Sequence, residues 1–217
     1  MNAIAHCVDS LWAPGRDPLT EAMSERGLAA LAASLPGAVR DGTEGSSREG
    51  ALVGAWLAGA AFAAAGSSLH HKICHVLGGR YDLPHAETHA AVLPWSARLA
   101  LGHHPAAIAT LGRALGSGGP AIRLRALAAD LGATRSLAEL GLTRSQAIHT
   151  AEEVSLEALA TPFPVSREDL RELLLGATEG ADDASFRALP RNPMEEPRAR
   201  HHAALDGAAI PRRTRRS

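Results

Sequence analysis

The sequence predicts an all-α protein, and two observations favour this class. Apolar residues recur at three- and four-residue spacing along most of the chain, whereas no stretch alternates with a period of two over a useful length. The apolar residues are also mostly small: 45 of the 217 residues are Ala, and aromatic residues make up only 3%. This composition favours close packing of helices over a sheet with a bulky core.

The helix boundaries are predicted from residues that typically begin or end a helix. Asp17 is a typical N-cap with Pro18 in the first turn, and Ser166 followed by Asp169 resembles a capping box. Pro36-Gly37 and Pro94 predict helix ends, and Gly78-Gly79 predict a left-handed end. The predicted helices are 2–12, 19–35, 48–77, 85–93, 106–115, 121–131, 137–140, 144–160 and 167–178.

Charge and composition divide the chain into a helical domain, 1–180, and a Pro/Arg-rich tail, 181–217. Residues 191–217 hold seven Arg against three acidic residues, a surplus of +4, whereas residues 1–190 hold 15 basic and 20 acidic residues, or −5. A segment of this kind buries little apolar surface, so the tail is predicted to be disordered. Its Arg residues lack interleaved aromatics and the net charge is −1, so no nucleic-acid partner is expected.

Neither a membrane nor an oxidising compartment is expected. The longest apolar run, residues 51–65, has 15 residues, fewer than the roughly 20 that a spanning helix needs. Two cysteines, Cys7 and Cys74, without a signal peptide favour a reducing cytoplasm over a disulfide framework. The two thiols are expected to pack in the core.

A helical fold could bring four side chains to one point, and these are Asn2, His6, His71 and His85. His71 lies four residues before His75 on one helix face, and the turn before His85 lets that residue return toward His71. Asn2 and His6 repeat the four-residue spacing on the first helix. Such convergence is how helical proteins bind a divalent metal. From spacing alone, a solvent-facing or hydrogen-bonded core pair of histidines is the commoner explanation, and both interpretations stay open.

Several other residues that could bind a ligand or a metal are expected to lie outside these four side chains. His70 lies about 100° around the helix from His71 and is expected to point elsewhere. Each cysteine adjoins a motif histidine, but adjacent helical residues diverge, which disfavours a Cys/His zinc site. Glu87 and His89 are expected either to orient the site or to pack. The segment Gly116 to Gly119 is read as a loop that binds no phosphate.

The run SLHHKICHVLGGRYDLPHAETHAAVLP, residues 68–94, resembles the signature of the iron-containing alcohol dehydrogenase superfamily, and within it the maleylacetate reductases. The segments 1–9, 54–59 and 136–142 resemble the same subfamily. The resemblance covers roughly residues 1–180 and implies the helical C-terminal domain of this type, also called dehydroquinate-synthase-like. The N-terminal α/β nucleotide-binding domain of such enzymes is expected to be absent from this chain.

The resemblance implies a metal site with a reduced affinity for a divalent cation. Metal-dependent relatives use one Asp and three His, at positions that correspond to Asn2, His6, His71 and His85. An amide in place of the only anionic ligand would hold a divalent cation much more weakly. The resemblance therefore implies at most weak metal binding through His6, His71 and His85, and a site that can work without metal.

The resemblance also implies reduction of the carbon–carbon double bond of maleylacetate to 3-oxoadipate, in the beta-ketoadipate pathway of aromatic compound catabolism. NADH or NADPH would bind through the missing domain. His75 would lie beside the nicotinamide as the acid, with His6, His71 and His85 as hydrogen-bond donors. Asn2 and Lys72 would favour a small dicarboxylate substrate.

Two alternatives to this function stay open. The same fold suits a metal-dependent alcohol dehydrogenase, and the absence of a nucleotide domain also suits an inactive, truncated helical protein. The resemblance further implies a homodimer.

Overall fold

The computed structural model describes residues 1–156, 159, 161–180 and 186. These residues contain nine α-helices and one short 3-10 helix. These residues contain no strand, so the all-α prediction is confirmed. The helices are α1 Asn2–Ser10, α2 Pro18–Arg40, α3 Gly45–Ala65, α4 Leu69–Tyr81, α5 His85–His103, α6 Pro105–Leu115, α7 Pro120–Asp130, α8 Arg144–Glu153 and α9 Arg167–Glu179, with the 3-10 helix at Ala138–Leu140.

The predicted N-caps are confirmed in detail. The carboxylate of Asp17 accepts from the backbone N–H of Thr20 at 2.7 Å, and the Thr20 hydroxyl accepts in return from the N–H of Asp17 at 2.8 Å. Ser166 and Asp169 make the equivalent reciprocal pair at the start of α9. Each capping box satisfies N–H groups that a helix start would otherwise leave without a partner.

The helix predicted at 144–160 is too long, because α8 ends at Glu153 and the backbone of Val154 is extended. Three other predicted helix ends are also wrong. Pro36 and Pro94 lie inside α2 and α5, which continue to Arg40 and His103. A proline inside a helix removes one hydrogen bond. Around Pro94 that loss is offset by packing, because nearly every residue from Thr88 to Gly102 is buried.

The third wrong boundary concerns the predicted helix 48–77, which is two helices. α3 ends at Gly66, whose φ of +82° is a conformation that other residues rarely adopt. α4 then begins at Leu69, and the two axes differ by 95°. Gly78 and Gly79 lie within α4, which ends instead at Asp82 with φ +54°. Among the described residues, no single helix is long and apolar enough to cross a membrane, and only this bent pair would reach the required length.

α2 and α3 pack closely because two glycines face each other. A Cβ on Gly54 would lie 2.7 Å from Cγ of Leu31 and 3.0 Å from the carbonyl oxygen of Gly27. A side chain at this crossing would force the helices apart. The hairpin leaves Leu52 and Trp56 on its outer surface, where they are 70% and 71% exposed.

α5 is the central helix of the fold. It contacts α1, α4, α6, α7 and α9, and its long buried segment carries His89, Trp95 and Ser96. The predicted tail lies outside the described residues except for Phe186. That ring is buried and meets Trp95 edge-on, with ring centroids 4.8 Å apart.

Candidate active site

α1 brings Asn2 and His6 to one end of the helical core. Asn2 and His6 are both half-buried, one turn apart. Oδ1 of Asn2 is buried and has no hydrogen-bond partner in the described part of the chain. The ring of His6 stacks on Phe62 with centroids 4.3 Å apart. Because Phe62 lies near the end of α3, the corner between α3 and α4 supplies an aromatic wall that the sequence did not reveal.

The histidines of α4 and α5 complete a cluster around this wall. His71 lies 5.0 Å from His6 and 4.3 Å from Phe62, measured between ring centroids. His75 follows one turn later, 6.4 Å from both His71 and His85. We call the following five residues the histidine cluster: His6, His71, His75, His85 and His89.

His89 lies much closer to this cluster than the sequence indicated. Its ring centroid is 4.3 Å from that of His85 and 4.8 Å from that of His71. His89 is fully buried, whereas His85 and His75 are exposed. The cluster therefore runs from a buried end at His71 and His89 to an open end at His75 and His85.

Asp9 holds the buried end of the cluster in place. Its carboxylate is fully buried and accepts hydrogen bonds from Nδ1 of His71 at 2.9 Å, the indole N–H of Trp12 at 3.0 Å and the backbone N–H of Ser68 at 2.8 Å. Asp9 thus ties α1 to the beginning of α4. Asp9 is not among the residues predicted for the site, although it lies about one turn after His6 on α1.

The contact with Asp9 determines which nitrogen of His71 faces a ligand. A carboxylate accepts only from a protonated nitrogen, so in neutral His71 the proton lies on Nδ1. Nε2 then carries a lone pair, and it has no hydrogen-bond partner among the residues described. This arrangement, a carboxylate behind the imidazole, is typical of histidines that bind a metal or accept a proton.

His70 was expected to point away, but it is fully buried and linked to the cluster. Its Nδ1 lies 2.8 Å from Oγ of Ser96, and its Nε2 lies 2.9 Å from Nδ1 of His89. The Sγ of Cys74 lies 3.8 Å from the same Nε2. Ser96 also donates to the carbonyl oxygen of Leu93 at 3.1 Å. A second network, on the α5 side, therefore supports His89.

Burial keeps His6 and His89 neutral at neutral pH. Desolvation, with smaller contributions from neighbouring histidines, lowers the pKa of His89 to about 3 and that of His6 to about 4. Desolvation also lowers the pKa of His75 from its usual value, and the charge of Lys72 adds to this shift. At neutral pH these imidazoles can donate one N–H each and offer one lone pair each.

The remaining predicted residues lie at the edge of the cluster. Lys72 is half-buried on α4 beside His71, and Glu87 is exposed in the first turn of α5. The lone pairs of Asn2 Oδ1 and His71 Nε2 fit a cation in chemistry, because both are buried acceptors without a partner in the described ranges. Within the described ranges, however, a single group of three potential ligands has all its ligand atoms within 4.8 Å of one another. This group is His70, Cys74 and His89. The histidines His6, His71 and His85 are therefore more widely spread.

Comparisons with known proteins match this domain throughout its described length. Residues 1–178 match the model of the Fe-containing alcohol dehydrogenase family, C-terminal. The chain is 42% identical over 180 residues to a maleylacetate reductase of Sphingobium indicum, covering 83% of this chain and 51% of the relative, and 41% identical over 181 residues to that of a Rhizobium species, with the same coverage.

Solved structures give the same result. The crystal structure of the Rhizobium maleylacetate reductase matches with a TM-score of 0.75 and 42% identity, over 83% of this chain and 51% of that chain. An iron-containing alcohol dehydrogenase from Corynebacterium glutamicum matches with a TM-score of 0.79 and 40% identity, over 85% of this chain and 52% of that chain. The chain spans about half the length of the curated relatives it matches.

Proposed function

The chain belongs to the iron-containing alcohol dehydrogenase family, whose C-terminal helical domain it carries, and from this premise we propose that it is the substrate-facing half of a maleylacetate reductase. The observation that carries the proposal is the position of Asn2. It places a neutral amide one turn from His6, where metal-dependent relatives are expected to have a carboxylate. A dicarboxylate substrate would meet no repelling charge from that position.

The proposed reaction adds a hydride and a proton across a carbon–carbon double bond conjugated with carbonyl groups. NADH or NADPH, bound by a separate nucleotide domain, supplies the hydride and becomes NAD⁺ or NADP⁺. A proton from the protein or solvent completes the conversion of maleylacetate to 3-oxoadipate. Electrophilic activation of the conjugated carbonyl is the step that this half of the enzyme has to supply.

The members of the histidine cluster are proposed to have different roles in this step. His75 is exposed at the open end, so it can exchange a proton with solvent and then deliver it near the nicotinamide. His6, His71 and His85 are proposed to hold the substrate, and half-buried Lys72 to attract one of its carboxylates. These roles follow from the arrangement of the residues together with the resemblance.

The test is to join this chain to the nucleotide domain of a maleylacetate reductase and to follow NADH absorbance with maleylacetate. We expect turnover, and a loss of kcat of about 10²–10⁴-fold in His75→Ala if His75 is the general acid. His149→Ala is the matched control, because His149 is an exposed histidine on α8 outside the cluster. Turnover of simple aldehydes without turnover of maleylacetate would contradict the proposal.

A metal-dependent alcohol dehydrogenase is the second candidate, favoured by the two orphaned acceptors Asn2 Oδ1 and His71 Nε2. Bound iron would polarise a substrate oxygen as a Lewis acid, and Asn2, His6, His71 and His85 would hold it. Elemental analysis of the purified chain distinguishes the two candidates. Stoichiometric iron that is lost in His6→Ala would favour the alcohol dehydrogenase.

For the chain as given we propose no tight nicotinamide binding, which a fluorescence titration with NADH tests directly. We also propose a cytoplasmic location, supported by two buried free cysteines, and a homodimer. Sedimentation analysis of the chain tests the dimer.

A further inference from the structure

Three potential metal ligands meet in the core behind the histidine cluster. His70 and Cys74 are four residues apart on α4, and His89 reaches them from α5. All three side chains are buried, at 0%, 3% and 0% exposure respectively. Nε2 of His70 lies 2.9 Å from Nδ1 of His89 and 3.8 Å from Sγ of Cys74. We call His70, Cys74 and His89 the buried triad.

We propose that the buried triad is a zinc site, separate from the set of Asn2, His6, His71 and His85 that the family resemblance implies. A tetrahedral zinc ion with bonds of 2.0–2.1 Å to nitrogen and 2.3 Å to sulfur separates two nitrogens by about 3.3 Å, and a nitrogen from a sulfur by about 3.6 Å. The observed separations differ from these by only a few tenths of an ångström. His70 Nε2 therefore lies near coordinating distances from both other ligand atoms, and all three atoms lie within 4.8 Å of one another.

Burial makes this arrangement costly without a ligand. Three polar side chains are removed from water, and the hydrogen bonds they form satisfy them only in part. Among the residues that the structure describes, the thiol of Cys74 has only the long contact with Nε2 of His70, at 3.8 Å. A bound cation would use all three side chains.

The surroundings of His70 are those of a metal ligand. Ser96 donates its hydroxyl proton to the carbonyl oxygen of Leu93, so its oxygen accepts from Nδ1–H of His70. This contact leaves the lone pair of His70 on Nε2, toward Cys74 and His89. A histidine that binds metal through one nitrogen almost always donates through the other.

Metal binding changes the protonation of the other two residues. Cys74 binds as a thiolate, so its S–H proton leaves for solvent when Zn²⁺ enters. His89 binds through Nδ1 and carries its proton on Nε2, which breaks its hydrogen bond to His70. Nitrogen and thiolate ligands together favour Zn²⁺ over Mg²⁺ or Ca²⁺. Three protein ligands leave one position of the ion for water or another small ligand.

The position of Cys74 on α4 allows a Cys/His site, which the sequence had disfavoured. Cys74 diverges from the adjacent His75, but it shares a helix face with His70, four residues earlier. His70 in turn reaches His89 because α4 and α5 pack against each other.

The experiment is a cobalt titration of the full chain after removal of metals with a chelator, since Co²⁺ reports on zinc sites through its spectrum. We expect one equivalent to bind, with a thiolate-to-cobalt charge-transfer band in the near ultraviolet and intense visible bands of a tetrahedral site. Added Zn²⁺ should abolish the spectrum stoichiometrically. Absence of the charge-transfer band in the unmodified chain overturns the proposal, independently of any variant.

Two cysteine variants assign the band. Cys74→Ser should remove it, whereas Cys7→Ser should retain it, because Cys7 is equally buried but lies on α1 outside the triad. Loss of the band in Cys7→Ser alone would overturn the assignment. Ser96→Ala should keep the band and weaken Zn²⁺ binding by about 10–100-fold, because it removes only the partner of His70. Unchanged affinity in this variant contradicts the role given to Ser96. None of these measurements depends on turnover.

Discussion

Nδ1 of His71 lies 2.9 Å from Oδ2 of Asp9, and both side chains are buried. This contact joins the first helix to the fourth across 62 residues of sequence. It fixes the tautomer of a proposed site histidine and at the same time supplies the beginning of α4 with a hydrogen-bond acceptor. Asp9 therefore both holds α1 against the beginning of α4 and sets the tautomer of His71, and separate experiments can test the two effects.

Replacing Asp9 with Ala should lower the free energy of unfolding by about 3 kcal/mol, because it leaves buried donors without an acceptor. Urea denaturation monitored by circular dichroism measures the loss. Glu152→Ala is the control, since Glu152 is exposed on α8 and its loss should change stability by less than about 0.5 kcal/mol. An equal effect of the two substitutions would show that Asp9 does not hold α1 to α4.

The tautomer of His71 is a second readout of Asp9. Asp9→Asn keeps the shape of the side chain but can turn an N–H group toward Nδ1 of His71. We therefore expect the proton of neutral His71 to move from Nδ1 to Nε2. Nitrogen chemical shifts of the imidazole distinguish the two forms. Retention of the Nδ1–H form in this variant would refute the assignment.

Gly176 marks a close approach between α9 and α5. A Cβ at this position would overlap Cζ3 of Trp95, a large ring in the core. Gly176→Ala should therefore lower the free energy of unfolding by about 1–3 kcal/mol. The matched control is Gly112→Ala in α6, where a Cβ would meet nothing within 4 Å, and which should stabilise by about 0.5–1 kcal/mol. Opposite signs in thermal or urea unfolding are the expected result.

Acid should destabilise the metal-free chain through its buried histidines. The pKa of His89 is lowered from 6.5 to about 3, and that of His6 from 6.5 to about 4, chiefly by desolvation. As pH falls below 6.5 the unfolded chain binds protons that the folded chain refuses, so stability decreases toward pH 4. Each such histidine contributes a slope of at most about 1.4 kcal/mol per pH unit.

The contribution of His89 to this slope can be isolated. The unfolding free energy of His89→Gln should vary less steeply between pH 6.5 and 4 than that of the parent, whatever its absolute stability. His149→Gln, at an exposed position, should keep the slope of the parent. A parent whose stability is constant over this range would contradict neutral burial of the cluster.

Glu44 should show a pH effect of similar sign from a different cause. Hydrogen bonds from Ser46 and Ser47 lower its pKa from 4.5 to about 2. The ionised form is thus favoured in the folded state, so its contribution is complete above pH 4.5 and disappears as pH falls toward 2. Glu44→Gln should cost more stability at pH 7 than at pH 3, measured by urea unfolding. Equal costs would show that the carboxylate does not cap α3.

The helical class and the helix caps were predictable from local sequence, whereas most contacts between distant helices were not. The helical class and the caps at Asp17 and Ser166 follow from spacing within a few residues. The approach of His6, His71 and His85 was also predicted, because two helices and one turn limit where they can lie. Phe62 and Asp9 were missed because their roles depend on contacts between distant helices. Local rules also end helices at proline, and at Pro94 the burial of α5 overrides them.

The turn at Gly66 has a consequence for how this chain tolerates mutation. A Cβ on Gly66 would touch no other atom within 4 Å, so a contact map assigns the residue no importance. Yet its φ of +82° turns the chain between Phe62 and His71, whose rings pack together. Residue 66 is therefore constrained by its backbone angle φ and not by contacts of a side chain. A mutational scan should therefore find position 66 intolerant even though space surrounds it.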